Sequence, residues 1–598
     1  MSHSTLPGAL VLSLALVSQG LAARPAAQRS PIELAPPARR TPIDAGTARR
    51  VLALFNRVPD GEELTAATGL DEASASAILR LRARRSGARF ATFEDLADVW
   101  ALDPRVFPTV YGLLGPPRMG LWDTLPYPLP YHCAHSILLH TGLVLFLPES
   151  DMLMSLLWDP SDLVQPRFLV PANEPEASLF CSGHAQLSDG RVFFAGGGGR
   201  GPAPDSMRAF AFDPDAPDNG SWSELPLMRL LRWYPSVVAL GGGKLLIASG
   251  VNLDHRPVAP MEVYDEATNQ FTLVEGPSGD PSVSYLSWDE TYPGLHLLPT
   301  GQILFTRAGS GDDNDRDTPT QVFTWTDVLH PTAGRWVPTP PLAFSDRTKG
   351  FSVQLPIRAG ARRLLPRVAV FGGGDPDVAA RSTVEVFEGE GEARPAWVRK
   401  PDMAEPRFHC MAVLLPDGQV LVMGGLRDGG GGTQGSHSTE LYDPTSSTFA
   451  RQDDVQWARG YHPLCALLPS GQVMIAGGRE DEHELTLEVF SPPYLFRGPR
   501  PRIGSLPAAI SHERSFDVET PDAERVERAV LVRPMAFTHN TDTEQRVVEL
   551  LLNRGVGRVT IKGPGGTPPY PNAPAGYYML FLLDTDGVPS VARFVRLE

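Results

Sequence analysis

Cysteine is scarce. The 598-residue chain holds four, Cys133, Cys181, Cys410 and Cys465. So few in so long a chain exclude a disulfide framework. Long apolar runs are missing too. Leu10–Leu21 (LVLSLALVSQGL) is too short to span a bilayer comfortably, and no other stretch reaches about 18 apolar residues, so no membrane span is expected. Positive charge is in deficit, 53 Lys plus Arg against 69 Asp plus Glu, for a net charge of −16. That balance argues against whole-chain affinity for nucleic acid or an anionic membrane. A hydrophobic fraction of 42% rules out disorder as the main state. What the chain has in excess is glycine, 57, and proline, 59. Both favour many short strands joined by turns over helical bundles.

The apolar run Leu10–Leu21, followed by Ala22 and Ala23, fits the h-region of a secretory signal, with Gly20-Leu21-Ala22 as a small-x-small cleavage site. Residues 1–23 are therefore expected to be a signal peptide, and export to the periplasm or beyond is expected. Residues 24–41, rich in Pro, Ala and Arg, read as an extended linker. From 42 to 115 the apolar spacing turns helical, as at Leu64, Ala77, Ile78 and Leu81. The stretch 67–85 (ATGLDEASASAILRLRARR) resembles helix-hairpin-helix modules, which bind phosphate at a Gly-rich turn. Asp71 stands where the second hairpin glycine is expected, and its carboxylate would repel phosphate. The five arginines Arg80, Arg82, Arg84, Arg85 and Arg89 read first as a solvated helix face and second as a contact for DNA or polysaccharide.

One pattern then recurs seven times: an apolar strand, a turn centred on Gly, a second apolar strand, and usually a Gly cluster. The copies begin with HSILLHTGLVLFLP at His135, GHAQLSDGRVFFAGGGG at Gly183 and YPSVVALGGGKLLIASG at Tyr234. They continue from Tyr292, through a longer copy ending VAVFGGGDP at Pro376, then from Phe408 and Tyr461. Further strand pairs, such as 261–274 and 439–452, follow most copies. Four strands per unit, repeated seven times at a kelch-like period, predict a closed seven-bladed β-propeller over 126–490. The Pro-rich junction at Ser491-Pro-Pro-Tyr-Leu opens a tail, 491–598, whose alternating strands suit an immunoglobulin-like sandwich. The expected fold is mainly β: propeller, C-terminal sandwich and a small N-terminal helical module.

A propeller says nothing of function by itself. Residues that open the first strand of a blade can converge at the central channel. Cys181 opens blade two, Trp233-Tyr234-Pro235-Ser236 blade three, and Tyr461-His462 blade seven, while Phe537-Thr538-His539-Asn540-Thr541 lies in the tail. In this order the four motifs resemble those of the copper-radical oxidases, the family of galactose oxidase and glyoxal oxidase. The likeness runs from about Pro126 to Glu598 and includes the Gly587–Ala592 (GVPSVA) ending. It implies that Cys181 is bonded through sulfur to the ring of Tyr234, and that Tyr234 is both the radical site and an equatorial copper ligand. Tyr461 would be the axial tyrosinate and proton acceptor, with His462 and His539 as the imidazole ligands. Cu(II) suits such a nitrogen and oxygen donor set. The implied reaction is oxidation of a small aldehyde or primary alcohol by O2, with H2O2 as the second product.

Taken singly, each residue has a plainer reading: a buried cysteine, a channel-lining aromatic, a loop histidine. Blade six opens with Phe408-His409, where Phe cannot ligate metal, so His409 reads as structural, and His132, His135 and His184 match no ligand motif. Asn252 stands where galactose oxidase places a tryptophan over the cross-linked ring, and Arg-Trp-Tyr-Pro-Ser at 232–236 is closer to the glyoxal oxidase branch. The rival expectation is a non-catalytic kelch propeller that binds or adheres.

Overall fold

The first strand of every repeat is buried on both faces, and the polar side chains that some carry are hydrogen-bonded there, as Gln186 is to the Leu138 carbonyl (3.0 Å). The seven are Cys133–Leu138, Gly183–Gln186, Ser236–Leu240, Leu295–Leu297, Phe351–Gln354, Met411–Leu414 and Pro463–Leu467, and every residue in them is buried. The computed structural model describes residues 119–598 except 151–152, 164, 200, 277–290, 307, 309–319, 345–346, 361–364, 375–378, 390–393, 428–434 and 479–484. Before residue 119 it describes only 55–56, 64–65 and 72–84.

Each first strand heads a sheet of four blade strands ordered outward, and neighbours pair antiparallel. Burial fades outward: the outermost strand of blade three, Gln270–Leu273, buries only Phe271. Blades pack face to face, as where Val238, Leu246 and Val263 of blade three share one core with Leu297, Ile303 and Phe323 of blade four. Blade seven is built from both ends of the propeller. Its three inner strands are Pro463–Leu467, Val473–Gly477 and Thr486–Ser491, and its outermost is Leu121–Pro128, which pairs antiparallel with Thr486–Ser491. This strand begins five residues before the Pro126 boundary expected from sequence. The missing signal is physical: an outer strand is half exposed, so LWDTLPYP carries no continuous apolar run.

Four blades share an internal clamp. Arg232, Arg347, Arg407 and Arg459, each just ahead of a first strand, are fully buried. Each pairs with a buried glutamate of its own blade's third strand: Glu262, Glu385, Glu440 and Glu488 respectively. The guanidinium also satisfies backbone carbonyls, as Arg232 does with Ser249 (2.8 Å) and Pro260 (2.6 Å). A buried ion pair persists only when such additional hydrogen bonds complete it.

The tail forms a five-stranded and a three-stranded sheet over a common core that includes Val518, Val559, Leu531 and Leu580. The two strands Val526–Val532 and Val547–Leu550 are joined by a long hairpin that leaves the sandwich. Its strand Ala536–Thr538 adds to the inner edge of blade one, pairing His135 with Thr538 and Ile137 with Ala536. Gln545 reaches blade six, accepting from Leu414 N–H (2.8 Å) and donating to the Ala412 carbonyl (2.9 Å). Arg546 donates to the Leu297 carbonyl of blade four (2.8 Å). The hairpin thus lies among the first strands and carries His539 to them.

The expected signal peptide (1–23) and linker (24–41) lie outside the described residues. Of the helical module, the helix Glu72–Ala83 is described, with Ala75 and Ile78 buried. Arg82 donates to the Phe55 carbonyl (2.8 Å), so one arginine of the basic stretch is tied within the module. Among the described residues, no helix is long and apolar enough to cross a membrane.

Candidate active site

Blades two to seven share a local device. A non-glycine residue in the left-handed region precedes each first strand: Cys181 (φ 62°), Tyr234 (66°), Tyr292 (47°), Lys349 (57°), His409 (54°) and His462 (58°). This conformation costs on the order of 1–3 kcal/mol per residue and persists only where surrounding structure enforces it. Backbone hydrogen bonds between blades do so: Tyr234 N–H donates to the Cys181 carbonyl (2.9 Å), and Tyr292 N–H to that of Tyr234 (2.9 Å). The glycine clusters supply the room. A Cβ on Gly250 would lie 2.7 Å from the Trp233 carbonyl oxygen and 3.1 Å from Pro235 N, and Gly250 itself has φ +86°. Gly250→Ala is therefore expected to cost about 1–3 kcal/mol and to displace Tyr234. A melting temperature equal to that of the parent would show that the close approach is not required.

These turns gather side chains around His539, itself left-handed at φ 46° and fully buried. The rings of His462 (4.3 Å), Tyr292 (4.8 Å), Tyr234 (5.2 Å), His135 and Tyr461 (both 5.8 Å) surround it, centroid to centroid. Cys181 Sγ lies 3.7 Å from His539 Nε2. The Tyr234 and Tyr461 hydroxyls are 3.4 Å apart, and the Tyr461 ring lies 3.8 Å from that of His462. All five residues singled out in the sequence therefore meet in one place, where Cys181, His462 and His539 are buried and Tyr234 and Tyr461 half-buried.

Hydrogen bonding sets the ring tautomers. Thr538 Oγ1 donates to the Ala134 carbonyl (2.9 Å), so it accepts from His539 Nδ1–H (2.6 Å) and leaves Nε2 as the lone-pair nitrogen facing Cys181. Burial, then the neighbouring imidazoles, holds His539 well below the usual histidine range, so it is neutral. His135 Nε2 accepts the Cys181 N–H (3.2 Å), and its Nδ1–H then donates to His184 Nε2 (3.1 Å). Burial pushes His184 down to about 3. These two histidines orient the cysteine backbone. His409 is bound to the inserted hairpin through Asn540 Oδ1 (3.1 Å), and Asn540 in turn donates to the Gly350 carbonyl (2.9 Å).

Burial, then Cys181 and Tyr461, pushes the Tyr234 phenol far above its ordinary value, and burial does the same to the Cys181 thiol. Two phenols lie here beside the neutral His539 imidazole, and a bound cation would reverse the phenol shift. The donor set thus fits Cu(II), through the phenol oxygens of Tyr234 and Tyr461 and the imidazoles of His462 and His539. Among the described residues no group of three His, Cys, Asp or Glu could hold a metal, because half of the donors here are phenols. A cavity of about 620 Å³ lies elsewhere, beside Thr300 at the far end of blade four's first strand.

Asn252 is tied into its own turn, where its Oδ1 accepts from Asp254 N–H (2.9 Å) and Arg256 N–H (3.0 Å). The rings against that of Tyr234 are Trp233 (4.2 Å, tilted 54°), Tyr292 (5.1 Å, edge-on) and His539 (5.2 Å, edge-on). Tyr292 is held by donation to the Ser182 carbonyl (2.8 Å). Sequence reading missed Glu149, whose Oε2 lies 3.0 Å from His462 Nδ1. A signal was present: the second strand of blade one ends in Pro148-Glu149 where other copies end in glycine. Cys133, Cys410 and Cys465 are free thiols buried in the blades.

Residues 172–494 match the glyoxal oxidase N-terminus, and residues 500–597 match the galactose oxidase-like early set domain. The chain is 28% identical over 459 residues to a WSC domain-containing protein of Arthroderma benhamiae, covering 71% of this chain and 46% of that protein. It is 27% identical over 460 residues to aldehyde oxidase GLOX of Vitis pseudoreticulata, covering 70% of this chain and 82% of the relative. To galactose oxidase of Gibberella zeae it is 23% identical over 478 residues, covering 74% and 63%. A solved fungal alcohol oxidase of the AA5 family, in complex with copper, shares the fold at a TM-score of 0.65 and 21% identity, covering 80% of this chain and 99% of that one. With more than half of its length matched, the chain belongs to the glyoxal oxidase family of copper-dependent oxidases, the relatives of galactose oxidase.

Proposed function

We propose that the chain is an exported mononuclear copper-radical oxidase that converts a small aldehyde, as its hydrate, to the acid, or a primary alcohol to the aldehyde, with O2 reduced to H2O2. The observation that carries this reading is the convergence of Cys181, Tyr234 and Tyr461 with two imidazoles in one site. Copper(II) held there would accept one electron while oxidised Tyr234 accepts the other, a two-electron oxidation without an organic cofactor. The protein does the rest. A thioether on the Tyr234 ring lowers the potential of that phenol and spreads the unpaired electron onto sulfur. Trp233 and Tyr292 pack against the ring. The Tyr461 oxygen takes the substrate hydroxyl proton.

The thioether replaces the Cys181 S–H and a ring C–H of Tyr234 with one C–S bond. Two protons and two electrons leave to O2 as H2O2, for a mass loss of about 2 Da. Copper loading in air followed by peptide mapping tests this directly. A cross-linked Cys181–Tyr234 peptide is expected; two separate unmodified peptides would sink the radical reading and leave a binding propeller. The Arg-Trp-Tyr-Pro-Ser run and relatives named as aldehyde oxidases support an aldehyde, and the galactose oxidase relative keeps a carbohydrate alcohol in the substrate class. A peroxide-coupled screen over glyoxal, methylglyoxal, galactose and glycerol ranks them. Export rests on the Leu10–Leu21 run and its small-residue cleavage site.

A further inference from the structure

We propose that Glu149 is the positioning carboxylate of the metal centre: it holds His462 by Nδ1 so that Nε2 is the nitrogen presented to copper. The inference rests on the copper reading of the site above. Glu149 directly follows the second strand of blade one, Val144–Pro148, and its backbone is anchored by donation from Glu149 N–H to the His132 carbonyl (2.9 Å). Its side chain is 6% exposed, and Oε2 lies 3.0 Å from His462 Nδ1, itself on a side chain 2% exposed. A carboxylate at that nitrogen selects the tautomer protonated on Nδ1 and leaves the lone pair on Nε2. His539 has the same polarity, with Nδ1–H bound to Thr538 Oγ1. The two rings lie 4.3 Å apart and nearly perpendicular, at 81°. Both imidazoles are thus fixed from behind, one by a hydroxyl and one by a carboxylate, with the same nitrogen type facing inward.

The two supports differ in origin. Thr538 belongs to the strand that carries His539, whereas Glu149 comes from blade one and His462 from blade seven. Glu149 therefore also pins the copper site across the seam where the propeller closes. Carboxylates in this relation to a metal-bound histidine orient the ring and raise its basicity, and their loss typically weakens metal binding about 10–100-fold.

The test is copper affinity of the metal-free full chain, measured by competition with a chelator of known strength, alongside the EPR spectrum of the Cu(II) form. Glu149→Ala is expected to weaken copper binding about 10–100-fold and to change the nitrogen coupling, while the melting temperature of the metal-free protein stays within a few degrees. Glu149→Asp draws the carboxylate back by one methylene and is expected to lose affinity in the same direction, so it decides the matter if the alanine variant does not fold. Glu149→Gln, which keeps an acceptor for Nδ1–H, is expected to recover most of the affinity. A folded Glu149→Ala or Glu149→Asp chain that binds copper as tightly as the parent, with an unchanged spectrum, overturns the inference. Failure of the parent chain itself to bind copper would instead overturn the reading of the site.

Discussion

Replacing Tyr461 with phenylalanine is expected to lower kcat about a hundred- to ten-thousand-fold while copper stays bound, which is the range that loss of a positioned general base produces. The substitution is nearly isosteric. The phenyl ring can keep its packing on His462 (3.8 Å) and His409 (5.0 Å), and only the oxygen 3.4 Å from the Tyr234 hydroxyl is removed. Copper would keep Tyr234, His462 and His539 as donors. The Cys181–Tyr234 cross-link is expected to form, because the groups that build it are untouched. Peroxide-coupled kinetics with metal content and peptide mass on the same preparation separates these effects. Turnover equal to the parent would remove Tyr461 from the proton-transfer role, and loss of copper would make it chiefly a ligand.

Arg232→Ala should be the most destabilising single change in blade three, at about 3–5 kcal/mol. The side chain is fully buried, its Nε donates to Glu262 Oε1 (3.0 Å), and the same guanidinium holds the Ser249 and Pro260 carbonyls. Removing it strands a buried carboxylate and unpairs two carbonyls together. The double change Arg232→Met with Glu262→Leu removes both charges, and is expected to recover much of the loss because no ion is left unpaired. Thermal unfolding of the two variants beside the parent checks the argument. A single variant as stable as the parent would mean that the clamp adds nothing. Arg232 lies two residues ahead of Tyr234, so the single variant is also expected to slow cross-link formation. Arg407→Ala in blade six, equivalent in its partner Glu440, should lose similar stability and spare the cross-link.

The propeller was legible in the chain because it leaves local marks, and the candidate site residues were legible because their motifs resemble those of a known family. An inner strand buried on both faces is rich in apolar residues, so Ser236–Leu240 and Pro463–Leu467 stand out beside their glycine turns. Cys181, Tyr234, Tyr461 and His462 open the first strands of their blades, and the resemblance to the copper-radical oxidases singled them out among the residues there. The strand Leu121–Pro128 was not fully legible, because an outer strand is half exposed and its partner lies more than 350 residues away. The Arg–Glu clamps were missed for a related reason: each is a charged residue in a turn paired with one on a strand about 30 residues later, as Arg232 and Glu262 are. No local periodicity marks such a pair.

The sequence alone therefore determined the architecture and the family likeness, since these are written as short-range pattern, and the likeness in turn nominated Cys181, Tyr234, Tyr461, His462 and His539. Tertiary structure decided how they meet. Only the inserted hairpin, pairing Ala536–Thr538 with blade one, brings His539 beside Cys181. Only the left-handed turns, given space by glycines such as Gly250, aim Cys181, Tyr234 and His462 at the same point. And only closure of blade seven against blade one sets Glu149 behind His462. Each of these is a contact between residues far apart in the chain, and such contacts exist only once the backbone has brought distant segments within hydrogen-bond reach.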